Sequence, residues 1–226
     1  MMAAIRCQRA TGQGCYIDMS QCETGLMLSG TSTLEHQITG KPTVRYGNRM
    51  PFLPWSPHGA YRCSGEDTWI AISIQSDKQW RGLIEEMGSP SWALEGRFAT
   101  AAGRKQNEDE LDGNLTAFTV GCDRYDLMNR LQARGIPAGV IQKAPDRFDR
   151  DPQLKARGYY VDLPQSEIGT WPVEGFPAKL SRSGADVGGA TGRGAPKLGD
   201  DNAFVYGELV GLSAAELTAL EKEGVI

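Results

Sequence analysis

Apolar residues recur at three- and four-residue intervals after Ser76, which is the spacing of one face of an amphipathic helix. The residues on this face are Trp80, Leu83, Ile84 and Met87. Ser76 and Gln79 have the spacing of a capping box, and Gly88 is a residue type that commonly follows the last helical turn. The pattern therefore predicts a helix between Ser76 and Gly88.

Similar start and stop signals predict further helices along the chain. Their candidate capping residues are Ser20, Asn107, Asp123, Asp151 and Ser213. The helix after Ser20 is expected to run to about Gly30, and the helix after Asp123 to end at Gly135. Residues 1–10 are also compatible with a helix, but no capping residue precedes them.

Short runs of β-branched and aromatic residues predict strands between these helices. The runs cover residues 15–20, 61–63, 69–74, 136–141 and 159–163. Residues 61–63 and 69–74 are expected to pair as a hairpin, and 69–74 is nearly all apolar, as in a central strand. Residues 40–59 and 164–200 contain many Gly and Pro and are predicted to be irregular. The predicted fold class is α/β, with a compact unit near residues 60–145 between two extended segments.

Composition and charge narrow the possible functions. The 226 residues include 40% hydrophobic and 23% charged residues, as in ordinary globular proteins. The formal net charge is −4, and no block of Lys or Arg indicates binding to nucleic acid or to an anionic membrane. Apolar runs are far shorter than the roughly 20 residues of a membrane-spanning helix. The first residues lack the pattern of a secretory signal. A cytoplasmic protein is expected from its cysteine usage.

The five cysteines and two histidines do not form a metal or disulfide pattern. There is no CxxC motif, so a reduced protein without disulfides is expected. His36 and His58 are not clustered with cysteines, so no metal site is predicted. A Ser-His-Asp triad is arithmetically possible, but no GxSxG sequence accompanies it.

Several short motifs occur in a fixed order along the chain. The first is TGQG at residues 11–14 followed by YIDMS and Glu23, and the second is GNRMP at 47–51 followed by GAYRC at 59–63. The others lie at residues 67–80, 97–107, 131–140, 151–158, 198–199 and 209–226. Each motif is weak alone, but the ordered set resembles the C-terminal half of the class III CoA-transferases, the CaiB/BaiF family that includes formyl-CoA transferase.

The resemblance implies a particular architecture. Members of that family are roughly twice this length, as expected for two domains, and have a large Rossmann-like domain, a small domain and interlocked protomers. Residues 1–45 would then be a remnant of the large domain and a linker, and residues 46–145 the small α/β domain. Residues 146–226 would return to pack on the large domain. The uncapped start of the chain fits a sequence that begins within a longer protein.

The resemblance also implies a reaction. The family transfers CoA from an acyl-CoA to a carboxylic acid through a mixed anhydride and an aspartyl-CoA thioester, which is covalent carboxylate catalysis. The nucleophilic Asp would lie upstream of Met1, so no catalytic residue is expected in this chain. The CoA thioester is a substrate, and no permanently bound cofactor is implied. The implied partner is a complementary N-terminal half or second subunit, in a homo- or hetero-oligomer.

The irregular loop before residue 59 supplies the candidate substrate-proximal residues. They are Asn48, Arg49, Met50, Pro51, Trp55 and His58. In formyl-CoA transferase the corresponding stretch is a glycine-rich flap over the thioester intermediates, but here its glycines are replaced. The aromatic residues suit an apolar acyl group, whereas the alternative is a loop that packs between domains. His58 has the right side chain for acid or base catalysis near neutral pH.

Other interpretations remain beside the transferase. The chain is alternatively a non-catalytic interaction module or remnant, or part of the related acyl-CoA racemase branch. Asp18 is a tempting nucleophile, but an Asp between a strand and a helix usually has a structural hydrogen-bonding role. The glycines in 184–199 lack the order of a phosphate-binding loop, so a return linker is expected. Cys22 and Cys63 are expected to be small buried residues, and Trp171 is a loop residue that is a candidate for contacts.

Overall fold

The computed structural model describes residues 1–42 and 44–226 and has both helices and strands. Thr43, within the stretch predicted to be irregular, lies outside the described residues. The chain divides into two compact units, residues 1–139 and 140–226. The α/β fold class is thus confirmed, whereas the division at residues 45 and 145 stays a prediction.

A three-stranded sheet organises the first unit. Its strands are β1 (His58–Arg62), β2 (Trp69–Ser73) and β3 (Ala138–Ile141), in the order β1-β2-β3. β1 and β2 form an antiparallel hairpin in which Tyr61 pairs with Ile70, as the sequence predicts. β2 is the central strand, and its Ile70 and Ile72 are buried on one face, whereas Ala71 between them is exposed.

Seven α-helices belong to the first unit among the residues described. They are α1 (Met2–Thr11), α2 (Gln21–Leu28), α3 (Gly30–Thr39), α4 (Asp77–Glu86), α5 (Ala101–Gln106), α6 (Glu108–Thr119) and α7 (Arg124–Ala133). The cap hydroxyl of Ser76 accepts the amide of Gln79 at the start of α4, and Asp123 caps α7, so both predicted starts are confirmed. Asn107 precedes α6, but its side chain does not cap the helix. The side-chain NH₂ group of Asn107 donates to the Gly103 carbonyl instead.

The core of the first unit lies between the sheet and helices α4, α6 and α7. Two short 3-10 helices, Ser91–Leu94 and Gly96–Phe98, also contribute to it. The largest apolar side chains that are fully buried are Ile70, Ile72, Ile74, Leu83, Phe98, Leu111, Leu115, Leu127, Leu131 and Ile136. The helical face predicted for residues 76–88 is thus confirmed as the face that packs against the sheet.

The N-terminal helices differ from the rest of this unit, because α1, α2 and α3 bury no residue. Their exposed apolar side chains include Met2, Ile5, Leu26, Met27, Leu28, Leu34 and Ile38. The prediction of a strand at residues 15–20 is wrong, since this segment has no regular structure. A strand requires a partner for its backbone groups, and none of the described strands pairs with this segment. The helix expected to reach Gly30 ends at Leu28, and α3 follows it.

The second unit contains a hairpin and short helices. Its elements are α8 (Ala144–Asp149), α9 (Pro152–Ala156), β4 (Tyr160–Gln165), β5 (Gly169–Glu174), a 3-10 turn (Gly189–Thr191), a π-helical segment (Ala203–Leu209) and α10 (Ala214–Lys222). The capped starts at Asp151 and Ser213 are confirmed. The sequence misses β5, because Pro172 within it is typical of an edge strand or a loop. In the described chain no helix is both long and apolar enough to cross a bilayer.

One buried arginine joins several segments of the first unit. The side chain of Arg104, in α5, is 1% exposed. Its Nε donates to the Ser56 carbonyl at 3.0 Å, its Nη1 to the Phe98 carbonyl at 3.2 Å, and its Nη2 to Asp77 Oδ1 at 2.9 Å. Its guanidinium carbon also lies 5.2 Å from the ring centroid of Trp80. The planar fork of Arg satisfies several acceptors at once, so the charge is buried with partners in three directions.

We expect Arg104→Leu to lower the free energy of unfolding by about 2–4 kcal/mol, because it leaves buried carbonyls without a donor. Urea unfolding followed by circular dichroism measures the change. Arg81→Leu is the matched control, because Arg81 is exposed on the neighbouring helix α4 and should change stability by less than about 0.5 kcal/mol. Equal stabilities for the two variants would contradict the assignment.

Candidate functional site

Five of the six predicted loop residues lie between α3 and β1, and the sixth, His58, lies in β1. A tight turn starts this loop: Gly47 has a φ of 62°, and the Arg49 amide donates to the Tyr46 carbonyl at 3.2 Å. This backbone conformation favours glycine. The turn places Asn48 and Arg49 beside α6, whereas Phe52, further along the loop, is 74% exposed.

Arg49 is held by the acidic start of α6. Its Nη2 donates to Asp109 Oδ1 at 2.7 Å and to Asp112 Oδ2 at 2.9 Å, and its Nε lies 3.7 Å from Glu108 Oε2. The hydrogen bonds that Arg49 donates to Asp109 and then to Asp112 raise the pKa of Arg49 above its ordinary value. The guanidinium is therefore already engaged by carboxylates of this chain and serves first to fix the loop.

Asp112 also binds a buried tyrosine. The Tyr61 hydroxyl, on β1, donates to Asp112 Oδ1 at 2.8 Å, and Tyr61 is 3% exposed. Burial, followed by the negative charge of Asp112, raises the pKa of Tyr61 well above its ordinary value. Each oxygen of the Asp112 carboxylate thus has its own donor, one from the loop and one from the sheet.

His58 is the first residue of β1 and faces its partner on β2. Its Nδ1 lies 2.8 Å from the hydroxyl group of Ser73, the residue that pairs with His58 in the hairpin register. The Trp55 ring meets the His58 ring edge-on, with 6.0 Å between the centroids. A hydrogen bond at one ring nitrogen orients a histidine ring. No residue next to His58 in the sequence provides it, but Ser73 does so from the neighbouring strand.

A cavity of about 240 Å³ brings part of the predicted set together. Of the six candidate residues, Asn48, Arg49 and His58 line it, but Met50, Pro51 and Trp55 do not. Sequence reasoning missed four polar residues of its wall, which are Tyr46, Tyr61, Asp112 and Thr116. Tyr61 lies in a motif that was recognised, and Asp112 lies three residues after Asp109 on one helical face, which is the signal that pairs them.

Phe52 contributes to a different cavity. It lines a cavity of about 590 Å³ whose other apolar residues are Leu34, Ile38, Val44 and Tyr46. The Tyr46 and Phe52 rings are in edge contact at 6.4 Å, and the Tyr46 hydroxyl donates to Glu35 at 3.1 Å. Phe52 and Tyr46 therefore contribute to this apolar surface, whereas Trp55 packs on His58.

The remaining candidates are dispersed. Asp18 is exposed in the irregular segment before α2, and His36 Nδ1 contacts the Lys41 carbonyl. Trp171 lies on β5 rather than in a loop and is 60% exposed. Within residues 1–42 and 44–226, no three His, Cys, Asp or Glu side chains are grouped to hold a metal ion.

The two cysteines considered as nucleophiles have opposite environments. Cys63 is buried, as expected, but Cys22 is exposed, so the expectation of burial is wrong for Cys22. Cys22 lies on α2, which buries no residue. Burial raises the pKa of the Cys63 thiol to about 11, and the neighbouring Cys122 and Asp123 add to this effect. A thiol with a raised pKa is a poor nucleophile at neutral pH.

Comparison with known proteins identifies the class. Residues 1–202 match CoA-transferase family III, and the chain belongs to this family. It is 29% identical to a succinyl-CoA–D-citramalate CoA-transferase of Chloroflexus aurantiacus over 100% of this chain and 54% of the relative. It is 28% identical to a succinate–glutarate CoA-transferase of Agrobacterium fabrum over 92% of this chain and 50% of the relative.

A solved structure agrees with these relatives. A CAIB/BAIF family protein from Brucella suis has a TM-score of 0.78 and 29% identity, covering 92% of this chain and 51% of that one. The resemblance found in the motifs is thus confirmed. The chain spans about half the length of these relatives.

We expect the pH dependence of stability to report on Tyr61. Because its pKa is raised in the fold, Tyr61 contributes stability below its ordinary pKa of about 10 and loses it as the pH rises above that value. Tyr61→Phe should remove this part of the decline in the free energy of unfolding above pH 10, measured by urea unfolding. Tyr16→Phe is the control, since Tyr16 is 92% exposed. An unchanged decline in Tyr61→Phe would show that other groups cause it.

We expect the cysteines to react in the order of their exposure. With iodoacetamide at pH 8, the exposed Cys7, Cys15 and Cys22 should be modified first and Cys63 last. The Cys63 thiol is buried, and its pKa of about 11 leaves little reactive thiolate at this pH. Peptide mass spectrometry after timed quenching measures each site. Labelling in urea is the control, in which the sites should become similar. Early labelling of Cys63 in the native protein would overturn the assignment.

Proposed function

We propose that this chain is the C-terminal portion of a CoA-transferase that moves CoA from an acyl-CoA to a free carboxylic acid. The family match over residues 1–202 is the observation that carries the proposal. The relatives named above act on succinyl-CoA or succinate, so dicarboxylic acids are the first acceptors and donors to test.

The reaction requires a free carboxylate on the enzyme. That carboxylate attacks the thioester carbonyl, CoA leaves as the thiolate, and a mixed anhydride forms. The thiolate then attacks the enzyme's acyl carbon and releases the donor acid, which leaves the aspartyl-CoA thioester. The acceptor carboxylate attacks this thioester, and the released thiolate attacks the new acyl group. CoA is thereby transferred and the enzyme carboxylate regenerated.

The carboxylate beside the 240 Å³ cavity is unsuited to this role. Asp112 accepts hydrogen bonds from Arg49 and Tyr61 at 2.9 and 2.8 Å, one on each oxygen, so both oxygens are held in place by donors of this chain. Asp18 is exposed and lines none of the cavities described above. This supports a nucleophilic Asp in the N-terminal half of the enzyme rather than in this chain.

The contribution of this chain is then to shape the acyl site. The loop offers Phe52 to a mostly apolar cavity of about 590 Å³, and His58 is oriented by Ser73 at the edge of the smaller cavity. Holding the acyl group against a carboxylate on another segment is the proximity effect that such an arrangement provides. His58 is the residue of this chain that is best placed to move a proton.

A second candidate function is a non-catalytic interaction module. The exposed apolar side chains of α1, α2 and α3 favour it, because a surface of this kind usually marks a protein interface. The partner in this case is the same complementary half, or a second subunit, but no transfer takes place. The racemase branch is a third alternative, which exchange of the α-hydrogen of a branched acyl-CoA would reveal.

We expect the isolated chain to be inactive and to gain activity with a complementary half. The test co-expresses it with the N-terminal segment of the Chloroflexus relative that precedes the match. Transfer of CoA from succinyl-CoA to carboxylic acids is followed by chromatography, and complex formation by light scattering. The N-terminal segment alone is the control.

Each result has a distinct meaning. Activity of the complex with both halves inactive alone supports the transferase. A stable complex without transfer supports the interaction module. Transfer by this chain alone would contradict the placement of the nucleophile upstream, and hydrogen exchange without transfer would identify the racemase branch.

A further inference from the structure

The loop at residues 50–55 is anchored at both ends by arginine side chains. At its start, Arg49 binds the carboxylates of α6. At its end, the carbonyl of Ser56 accepts from Arg104 at 3.0 Å. Between these anchors Phe52 and Leu53 are exposed. The loop therefore has fixed ends, although its middle residues have few contacts.

The two carboxylates that accept hydrogen bonds from Arg49 are not equivalent. The side chain of Asp109 is 92% exposed, and that of Asp112 is 27% exposed. Solvent screens an exposed ion pair, so Asp109 contributes less for the same distance. Asp112 is moreover fixed by Tyr61, whose ring belongs to the buried core of the first unit.

We propose that Asp112 is a positioning residue that latches the 50–55 loop to the sheet by accepting from Arg49 and Tyr61 at the same time. The core orients Tyr61, Tyr61 orients the carboxylate, and the carboxylate orients Arg49 at the first anchor. The latch itself depends only on this chain. Its effect on an acyl substrate rests on the proposed function.

An amide at this position is a sharp test. Both partners of Asp112 are donors, and a carboxylate offers an acceptor oxygen to each. Asn has one acceptor oxygen and one NH₂ group: if the oxygen keeps Arg49, the NH₂ group faces the Tyr61 hydroxyl, which must then turn from donor to acceptor. Asp112→Asn therefore keeps the shape of the side chain, removes the charge that holds Arg49 and reverses the hydrogen bond by which Tyr61 fixes the carboxylate.

The experiment measures cleavage of the Phe52–Leu53 bond by chymotrypsin in the full chain, with products identified by mass spectrometry. The variants are Asp112→Asn, Arg49→Gln and the double variant. Because cleavage follows the population of the open loop, each single variant should be cut about 2- to 5-fold faster than the native chain. The double variant should be cut no faster than the faster single variant, because both substitutions break the same Arg49–Asp112 interaction.

Glu110→Gln is the matched control on the same helix. Glu110 pairs with Arg97 at 2.7 Å and does not contact the loop, so cleavage at Phe52–Leu53 should be unchanged. Arg49→Lys keeps the charge and should give a rate between those of the native chain and Arg49→Gln. The Arg49 side chain is 40% exposed, so its variants test the latch even where Asp112→Asn fails to fold.

Two outcomes would overturn the latch: native cleavage rates in both single variants, or a double variant whose acceleration equals the product of the two single effects.

Transferase assays of the complex with the complementary half then separate this inference from the proposed function. A latch that acts on substrate predicts a higher KM for the acyl-CoA with little change in kcat in Arg49→Gln. Faster cleavage in a complex without transfer would reject the transferase and leave the latch intact.

Discussion

The buried guanidinium of Arg104 is the interaction on which the first unit most depends. It ties the end of the loop, the turn at Phe98 and the start of α4 to one helix, α5. The packing around it is tight: a Cβ atom at the preceding Gly103 would lie 2.2 Å from the Arg97 carbonyl oxygen. Trp80, Trp92 and Phe98 continue the same cluster with centroid distances of 6.3 and 5.7 Å. A charge at this depth is tolerated only because each direction of the fork meets an acceptor.

The strength of the sequence patterns explains how much of the fold was predictable. Helices α4 and α7 have their caps, stops and core residues within a few positions of each other, and α10 has a local cap and stop; these helices and the β1–β2 hairpin were all predicted. The predicted strand at 15–20 had suitable residues but no neighbouring strand to pair with in the described structure. β5 was missed for the opposite reason: it has a pairing strand, while its own sequence contains a proline.

The candidate site was predictable only in part, because its contacts join distant segments. Local sequence placed Asn48, Arg49 and His58 in one irregular loop, whereas His58 is the first residue of β1 in the structure. The partner that immobilises Arg49 lies 63 residues further along the chain, and the partner of His58 lies across the hairpin. Neither pairing leaves a periodic signal. Arg49 was expected near the substrate, whereas the structure shows that its charge is first used within the chain.

The two arginine anchors restrict the conformation of a loop, residues 50–55, that contains no glycine. A glycine-rich flap closes by changing its backbone conformation, and glycine makes such changes easy. Pro51 and Pro54 restrict this loop, and both of its ends are tied to side chains of α5 and α6. The backbone of the loop therefore has fewer conformations available, and less conformational entropy remains to be lost when a ligand binds. In the transferase that we propose, such a loop would favour an acyl group that fits the surface already formed over one that requires the loop to close.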